Sequence, residues 1–413
     1  MASTAIEMEC GRIELVTPIP NATIGASGYF TGETLMSYTD LGQQTANALD
    51  TIQKVLGVAA GTTISGTYHV IGVNQQTGKT YSETWDGSST ATQFGSTWDE
   101  GYYRIHVRFD GTHNGQTIGV NLEKKPLYWN KSKIAWMTYI APGSYICGSP
   151  STEIGHQSNE TQHRVTLSKG FYLSRCQMTV QQYNAIMGKT ASTSIHPKAS
   201  ICYSYYNYLG QEYINNAWAY PSSTDAPTWP DMIYASTGHV GSASGTAINT
   251  PNGLIETMES SMAVSEWKWE LPTEAQWEYA CRAGVNTGFN NGKNPSFTDG
   301  TFDENLNEVA WYAGNNTPSG TKDVARKLPN RWGLYDMEGN VFEWVYDYLR
   351  SYTATAENSP DPVGTLASSF RGYRGGNYLC NASYCRCAGY RNPDRVSNVN
   401  SNIGLRPSLQ SVE

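Results

Sequence analysis

From Asn358 to Leu409 the chain uses no Lys, Glu, Gln, Met or Trp. Lys and Glu are among the commonest residues of soluble domains, so their joint absence over roughly fifty residues needs a cause. The densest part runs from Arg374 to Arg406 and consists mostly of Asn, Tyr, Ser, Cys, Asp, Gly, Ala, Val, Leu and Arg. Two explanations fit. Loops favour Ser, Asn and Gly in any case, so a weakly charged surface loop accounts for the composition. A genetic cause fits as well: randomising both adenines of an Asn codon yields every amino acid except Lys, Glu, Gln, Met and Trp.

The chain has 413 residues, which suits two or three domains, or one large domain with insertions. Its 28 Tyr, 12 Trp and 40 Gly against 15% charged residues describe a β- and loop-rich globular protein. Tyr exposed beside Ser, Gly and Asn is also the composition of binding surfaces. A net charge of −8 and a pI near 5.5 argue against nucleic acid as a general partner, because neutralising phosphate takes clustered Lys and Arg. No apolar run is long enough to span a membrane. The start, Met1 to Cys10, lacks the basic and apolar parts of a secretory signal. The cysteines (Cys10, Cys147, Cys176, Cys202, Cys281, Cys380, Cys385 and Cys387) are scattered except for the last three. That is not a disulfide scaffold; free, partly buried thiols in a cytosol-made protein are the default.

Residues 1–132 read as a separate β-rich unit. Gly, Thr and Ser are frequent there, and Tyr102 to Phe109 alternates as a strand does. Asp110 to Gly115 reads as a turn, residues 41–56 as a helix, and Lys124 to Lys133 as the linker. No chemistry is recognisable in this unit. Residues 133–413 form the second unit. Gly143 to Ser149 reads as a turn and Gln162 to Leu167 as a strand. Thr179 with Gln182, and Thr273 with Gln276, have the spacing of capping boxes that start helices. Residues 202–266 are polar and Tyr/Ser/Gly-rich and read as a long insertion, either a binding or lid element or a surface excursion without a role.

A series of segments, in order, carries a family resemblance. They are Gln162-His-Arg-Val-Thr-Leu167, Met178-Thr-Val-Gln-Gln-Tyr183, Glu270-Leu-Pro-Thr-Glu-Ala-Gln-Trp-Glu-Tyr-Ala-Cys-Arg-Ala-Gly284, Trp332-Gly-Leu-Tyr-Asp-Met-Glu-Gly-Asn-Val-Phe-Glu-Trp344, and Arg374-Gly-Gly376 through Asn402-Ile-Gly-Leu-Arg406. Together they resemble the formylglycine-generating-enzyme (sulfatase-modifying factor) type of C-type lectin fold, from about Ile134 onward. The resemblance implies an irregular α+β domain with few regular elements and long surface loops. It also implies a division by function. One branch oxidises a sulfatase cysteine to formylglycine. Another consists of ligand-binding proteins diversified by retroelements, whose C-terminal segment is rewritten at adenines and displayed as a binding surface.

The cysteines point towards the oxidase. Its catalytic thiols lie in a pattern like G-G-S-x-x-C-x-x-x-x-C, matched by Gly375, Gly376, Asn377, Cys380 and Cys385. Two soft thiolates can hold Cu(I), and a depressed pKa would make them reactive. Against this, Asn377 replaces the family Ser. Cys281 matches a position that is disulfide-paired in some oxidases, but the expected partner position is Pro407. A cysteine is also one of the residues that a randomised Asn codon delivers, and a packed free thiol is the plain alternative for Cys385.

The codon signature points towards the binding proteins. Asn377, Tyr378, Leu379, Cys380, Asn381, Tyr384, Cys387, Gly389, Tyr390, Asp394, Val396, Ser397, Asn398, Val399, Asn400 and Ser401 read as diversified Asn positions that contact ligand. Ala382, Ser383, Cys385, Arg386, Arg391, Pro393, Asn402, Ile403, Gly404 and Arg406 read as fixed framework. Such variation requires side chains in solvent on a backbone held by the rest of the fold. Gly339 to Trp344 resembles a family calcium loop, with Asn340 and Glu343 as oxygen ligands; hydrogen bonding within the core is the alternative. Every His lies at or before His239, which leaves the rest of the chain beyond it without one to activate a nucleophile or ligate zinc.

The reading favoured is therefore a binding protein that requires no cofactor. Its ligand is a protein or glycan on another cell or particle, and the N-terminal unit mounts and oligomerises it on a phage tail, virion or cell surface. The alternative is a copper-dependent oxidase using Cys380 and Cys385.

Overall fold

The computed structural model describes residues 13–14, 65–85, 97–113, 116–121, 127–132, 136–204, 212–214, 217–219, 231–234, 253–297, 302–348, 360–364, 368–389 and 393–412, with positions 95 and 134 besides. The helix expected over residues 41–56 lies outside them. Contacts divide the chain into two compact units, Met1–Tyr139 and Ile140–Glu413.

In the first unit the alternating segment forms the long strand β3. The five longest strands of its sheet are β1 (Ser65–Asn74), β2 (Thr80–Trp85), β3 (Gly101–His113), β4 (Gln116–Asn121) and β5 (Leu127–Lys131). β3 pairs antiparallel with β1, β4 and β5, and β1 with β2. Its period of two buries Tyr103, Ile105, Val107 and Phe109 and leaves Arg104 and Arg108 exposed. Trp98 packs on Tyr103 and Trp129, with ring centroids 5.3 and 5.8 Å away. Two expectations change. The strand runs through the turn expected at 110–115, as far as His113 opposite Gln116. The expected linker contains β5, which is held in the sheet by its pairing with β3 and by buried Trp129.

The second unit opens on a hairpin of β6 (Gly143–Cys147) and β7 (His163–Leu167). A turn was expected at Gly143 to Ser149. The glycine serves packing instead, since a Cβ at Gly143 would run into the Tyr279 hydroxyl. Then come β8 (Phe171–Ser174), helix α1 (Val180–Ile186), β9 (Cys202–Ser204), β10 (Met232–Tyr234), α2 (Leu254–Ser261), β11 (Trp267–Glu270) and α3 (Glu274–Arg282). Both expected capping boxes form: the Thr179 and Thr273 hydroxyls accept from the backbone of Gln182 and Gln276, whose side chains return to the caps. The chain closes with β12 (Phe342–Tyr348), β13 (Phe370–Arg374), β14 (Pro393–Arg395), β15 (Ile403–Gly404) and β16 (Ser408–Ser411).

Two sheets frame this unit. In one, β16 lies antiparallel between β11 and β8. In the other the order is β14-β13-β12-β15, with β15 parallel to β12. α3 packs Trp277, Ala280 and Cys281 against Phe171, Leu173, Met337 and Val345; each large side chain fully buried in this way contributes about 1.5–3 kcal/mol. The ends of the expected insertion are part of the same core. β9 pairs with β10, Tyr203 packs on Tyr234 and Trp344, and Ile233 and Leu254 are fully buried.

Candidate functional site

The segment Arg374 to Arg406 leaves one sheet at the end of β13, returns as β14, and re-enters through β15. Its arginines fasten it. Arg374, Arg386 and Arg406 are each fully buried, and each meets carboxylates from outside the segment. Arg374 donates to Glu278 at 2.6 Å and to the carbonyls of Cys387, Ala388 and Gly389 at 2.9 to 3.3 Å. Arg386 bonds Glu153 at 2.6 Å and both oxygens of Glu160 at 2.6 and 2.8 Å. Arg406 grips both oxygens of Glu343 at 2.8 and 3.0 Å and the carbonyls of Ser174 and Tyr335. A forked guanidinium satisfies two acceptors at once, which a lysine ammonium does not do in this geometry.

Backbone bonds to the rest of the unit hold the loop between these anchors. Tyr378 N–H donates to the Asn340 carbonyl at 2.9 Å, Asn316 reaches the Tyr378 carbonyl at 3.1 Å, and Ala313 N–H the Cys380 carbonyl at 3.0 Å. Gly375 and Gly376 have φ of +97° and +74°, a region that favours glycine.

A cavity of about 470 Å³ opens among these residues, within the range of ligand pockets. Asn377, Leu379, Cys380, Asn381, Tyr384, Asp394 and Asn400, all read from the sequence as ligand-contacting, line it. Phe342, Tyr373, Asn402 and Ile403 line it too. Phe342 and Tyr373 were missed, since nothing in the sequence pairs them. Their rings lie 4.5 Å apart, and Phe342 faces Ile403 across the β12–β15 ladder. Leu379 and Val399 are 55% and 46% exposed, and Asn381 and Ser401 are exposed as well. Asp394 accepts from Asn398 and, at 3.1 Å, from Asn400. Tyr378, Cys380, Tyr384, Ser397, Asn398 and Asn400 are half-buried.

Four of the expected surface positions are not at the surface: Asn377, Cys387, Gly389 and Val396 are buried. Asn377 turns inward because its side-chain oxygen accepts from Leu379 N–H at 2.7 Å, although it still reaches the cavity wall. The carbonyls of Cys387 and Gly389 are drawn in by Arg374. Val396 is tied on both sides, to Ser369 and Ser204. Tyr390 and Arg391 lie outside the described residues.

The oxidase thiols share one apolar cluster. Cys385 is packed with Phe289, Leu306, Val309, Ala310, Tyr312 and Ala382, and Cys380 rests against it. Burial pushes the Cys380 thiol up to about 11 and the Cys385 thiol well above its ordinary value. Both are therefore protonated at neutral pH, the reverse of the depressed pKa that reactivity calls for. The pair does contain the soft donors that Cu(I) takes.

Asn340 and Glu343 do not fit a calcium ion. Asn340 clamps the backbone of Lys322 through both side-chain atoms, at 2.9 and 3.0 Å. The Glu343 oxygens accept from Gln177, Trp277 and Arg406 at 2.7 to 3.0 Å. Oxygens surrounded by donors, with an arginine as counter-charge, have no need of a cation; the hydrogen-bonded core alternative describes both residues.

Two small sheets, few helices and a long stapled C-terminal loop define an α+β domain with the C-type lectin fold of the formylglycine-generating-enzyme type. The Sulfatase-modifying factor enzyme 1-like domain matches residues 126–409, and the chain belongs to that family. It is 25% identical over 279 residues to the formylglycine-generating enzyme of Mus musculus, covering 65% of this chain and 74% of the enzyme. It is 31% identical over 200 residues to that of Streptomyces coelicolor, covering 45% and 62% respectively. Among solved structures, Treponema denticola variable protein 1 aligns with a TM-score of 0.43 and 21% identity, over 66% of this chain and 94% of that one. Among the described residues no helix is long and apolar enough to cross a membrane.

Proposed function

We propose that the chain is a ligand-binding protein whose C-terminal domain displays a retroelement-diversified surface. One observation carries the reading. Residues that randomised Asn codons deliver line one cavity, whereas Arg374, Arg386 and Arg406 of the same segment are buried and paired to carboxylates outside it. Side chains that vary and a backbone that does not are what such a surface requires. The rim supplies Tyr, Asn and exposed Leu and Val, a mixture of contact area and adaptable hydrogen bonding. The partner is a protein or glycan on another cell or particle. The N-terminal unit mounts the domain on a phage tail, virion or cell surface, and several copies together gain avidity over single weak sites.

The locus itself is the test. A nearby copy of the codons for Asn377 to Ser401, differing almost only where the copy has adenine, is expected. Ordinary codon usage with no such copy would remove the main support.

The oxidase reading rests on Cys380 and Cys385, which share the apolar cluster at the family spacing. Formylglycine formation on a cysteine-containing peptide by the wild type with copper and O₂, lost in Cys380→Ser, would establish it and sink the binding reading.

A further inference from the structure

Apart from the thiol pair just described, three other ligand-type side chains converge. Cys281 comes from the last turn of α3, Glu338 from the turn before β12, and Cys387 from the stapled loop. All three are fully buried, and their sulfur and oxygen atoms lie within 4.8 Å of one another. The Cys387 thiol is 3.4 Å from Oε1 of Glu338, which also accepts from Asn290 N–H at 3.1 Å. Oε2 of Glu338 is buried without a hydrogen-bond partner, and so is the side-chain oxygen of Asn290. A buried carboxylate oxygen left unpaired costs free energy that neither burial nor packing returns.

We propose that Cys281, Glu338 and Cys387 form a structural site for a borderline-soft divalent cation, zinc being the first candidate, with the Asn290 side-chain oxygen as fourth ligand. Tetrahedral zinc with Zn–S near 2.3 Å and Zn–O near 2.0 Å places neighbouring ligand atoms roughly 3.5–3.8 Å apart, the scale of this cluster. Two thiolates with a carboxylate disfavour the hard cations, which take oxygen alone. A Cys281–Cys387 disulfide is the competing arrangement. It would remove the thiol from Oε1 of Glu338 and leave Oε2 unpaired, whereas a cation engages the carboxylate and both sulfurs together. The ion would join α3, the turn before β12 and the loop, and Cys387 would be framework rather than a position free to vary.

The full-chain protein, purified without chelator and with its thiols kept reduced, is expected to carry one zinc per chain by native mass spectrometry and elemental analysis. Exchange for cobalt should give thiolate charge-transfer bands and the visible absorption of a tetrahedral ion. Glu338→Gln and Cys387→Ser should fall to background metal content, and Cys380→Ser should keep the zinc. The proposal is overturned if the reduced wild type takes up no stoichiometric zinc or cobalt, or if peptide mapping finds Cys281 joined to Cys387. It is equally overturned if Cys387→Ser retains the ion. Should a variant fail to fold, the metal content and spectrum of the wild type still decide.

Discussion

A methyl group at Gly376 would sit 2.5 Å from Sγ of Cys385 and 3.0 Å from its Cα, on a backbone whose φ of +74° already disfavours a side chain. Gly376→Ala should therefore lower stability by about 1–3 kcal/mol, read as a shift in the denaturant midpoint at unchanged slope. The stapling arginines make a second test at this scale. Arg406→Met keeps much of the volume but leaves Glu343 buried beside only the neutral donors Gln177 and Trp277. Removing one partner of a buried pair costs about 3–5 kcal/mol, and Arg406→Lys should recover only part of it, since one ammonium cannot replace the fork. Equilibrium unfolding of the two variants side by side gives both numbers.

As an element, the loop between β13 and β15 behaves differently on its two faces. Leu379→Asp and Val399→Asp alter exposed side chains and should change stability by less than about 0.5 kcal/mol. The same change at Val396, which is 1% exposed, buries a charge and should unfold much of the population; circular dichroism melts separate the three. If the loop is the binding surface, only the two exposed variants will lose ligand while keeping their melts. Legibility in the sequence follows the range of the interaction. α1 and α3 were readable because Thr179 and Thr273 sit three residues from the glutamines that complete their caps. Arg386 was readable as fixed, yet its partner Glu153 lies 233 positions away, and nothing local announces such a pair. Cys387 and Val396 were misplaced for the same reason. Codon composition reports which residues could have arisen at a position, and burial is decided by distant carbonyls that draw the backbone inward.

For the whole molecule, buried acids set the response to pH. Burial lifts the Glu270 carboxyl from 4.5 to about 8, outweighing the Leu271 N–H and the Arg371 charge that favour its ionised form, and lifts Asp336 from 3.8 to about 6. The folded state thus holds protons that the unfolded chain releases. The stability these two groups contribute is complete below the unfolded values and is lost as pH rises through about 4.5 to about 8. Glu270→Gln should flatten the upper part of that fall and leave a decline that levels off above about pH 6, once Asp336 is ionised; melting temperature against pH shows either shape. The arginine staples carry a consequence for heredity. An arginine triplet that begins with cytosine and guanine and ends in a pyrimidine contains no adenine, so an adenine-directed copying error passes over it. If the loop is rewritten in this way, Arg374, Arg386 and Arg406 should all use such triplets, and each new generation of surfaces would inherit its anchorage intact.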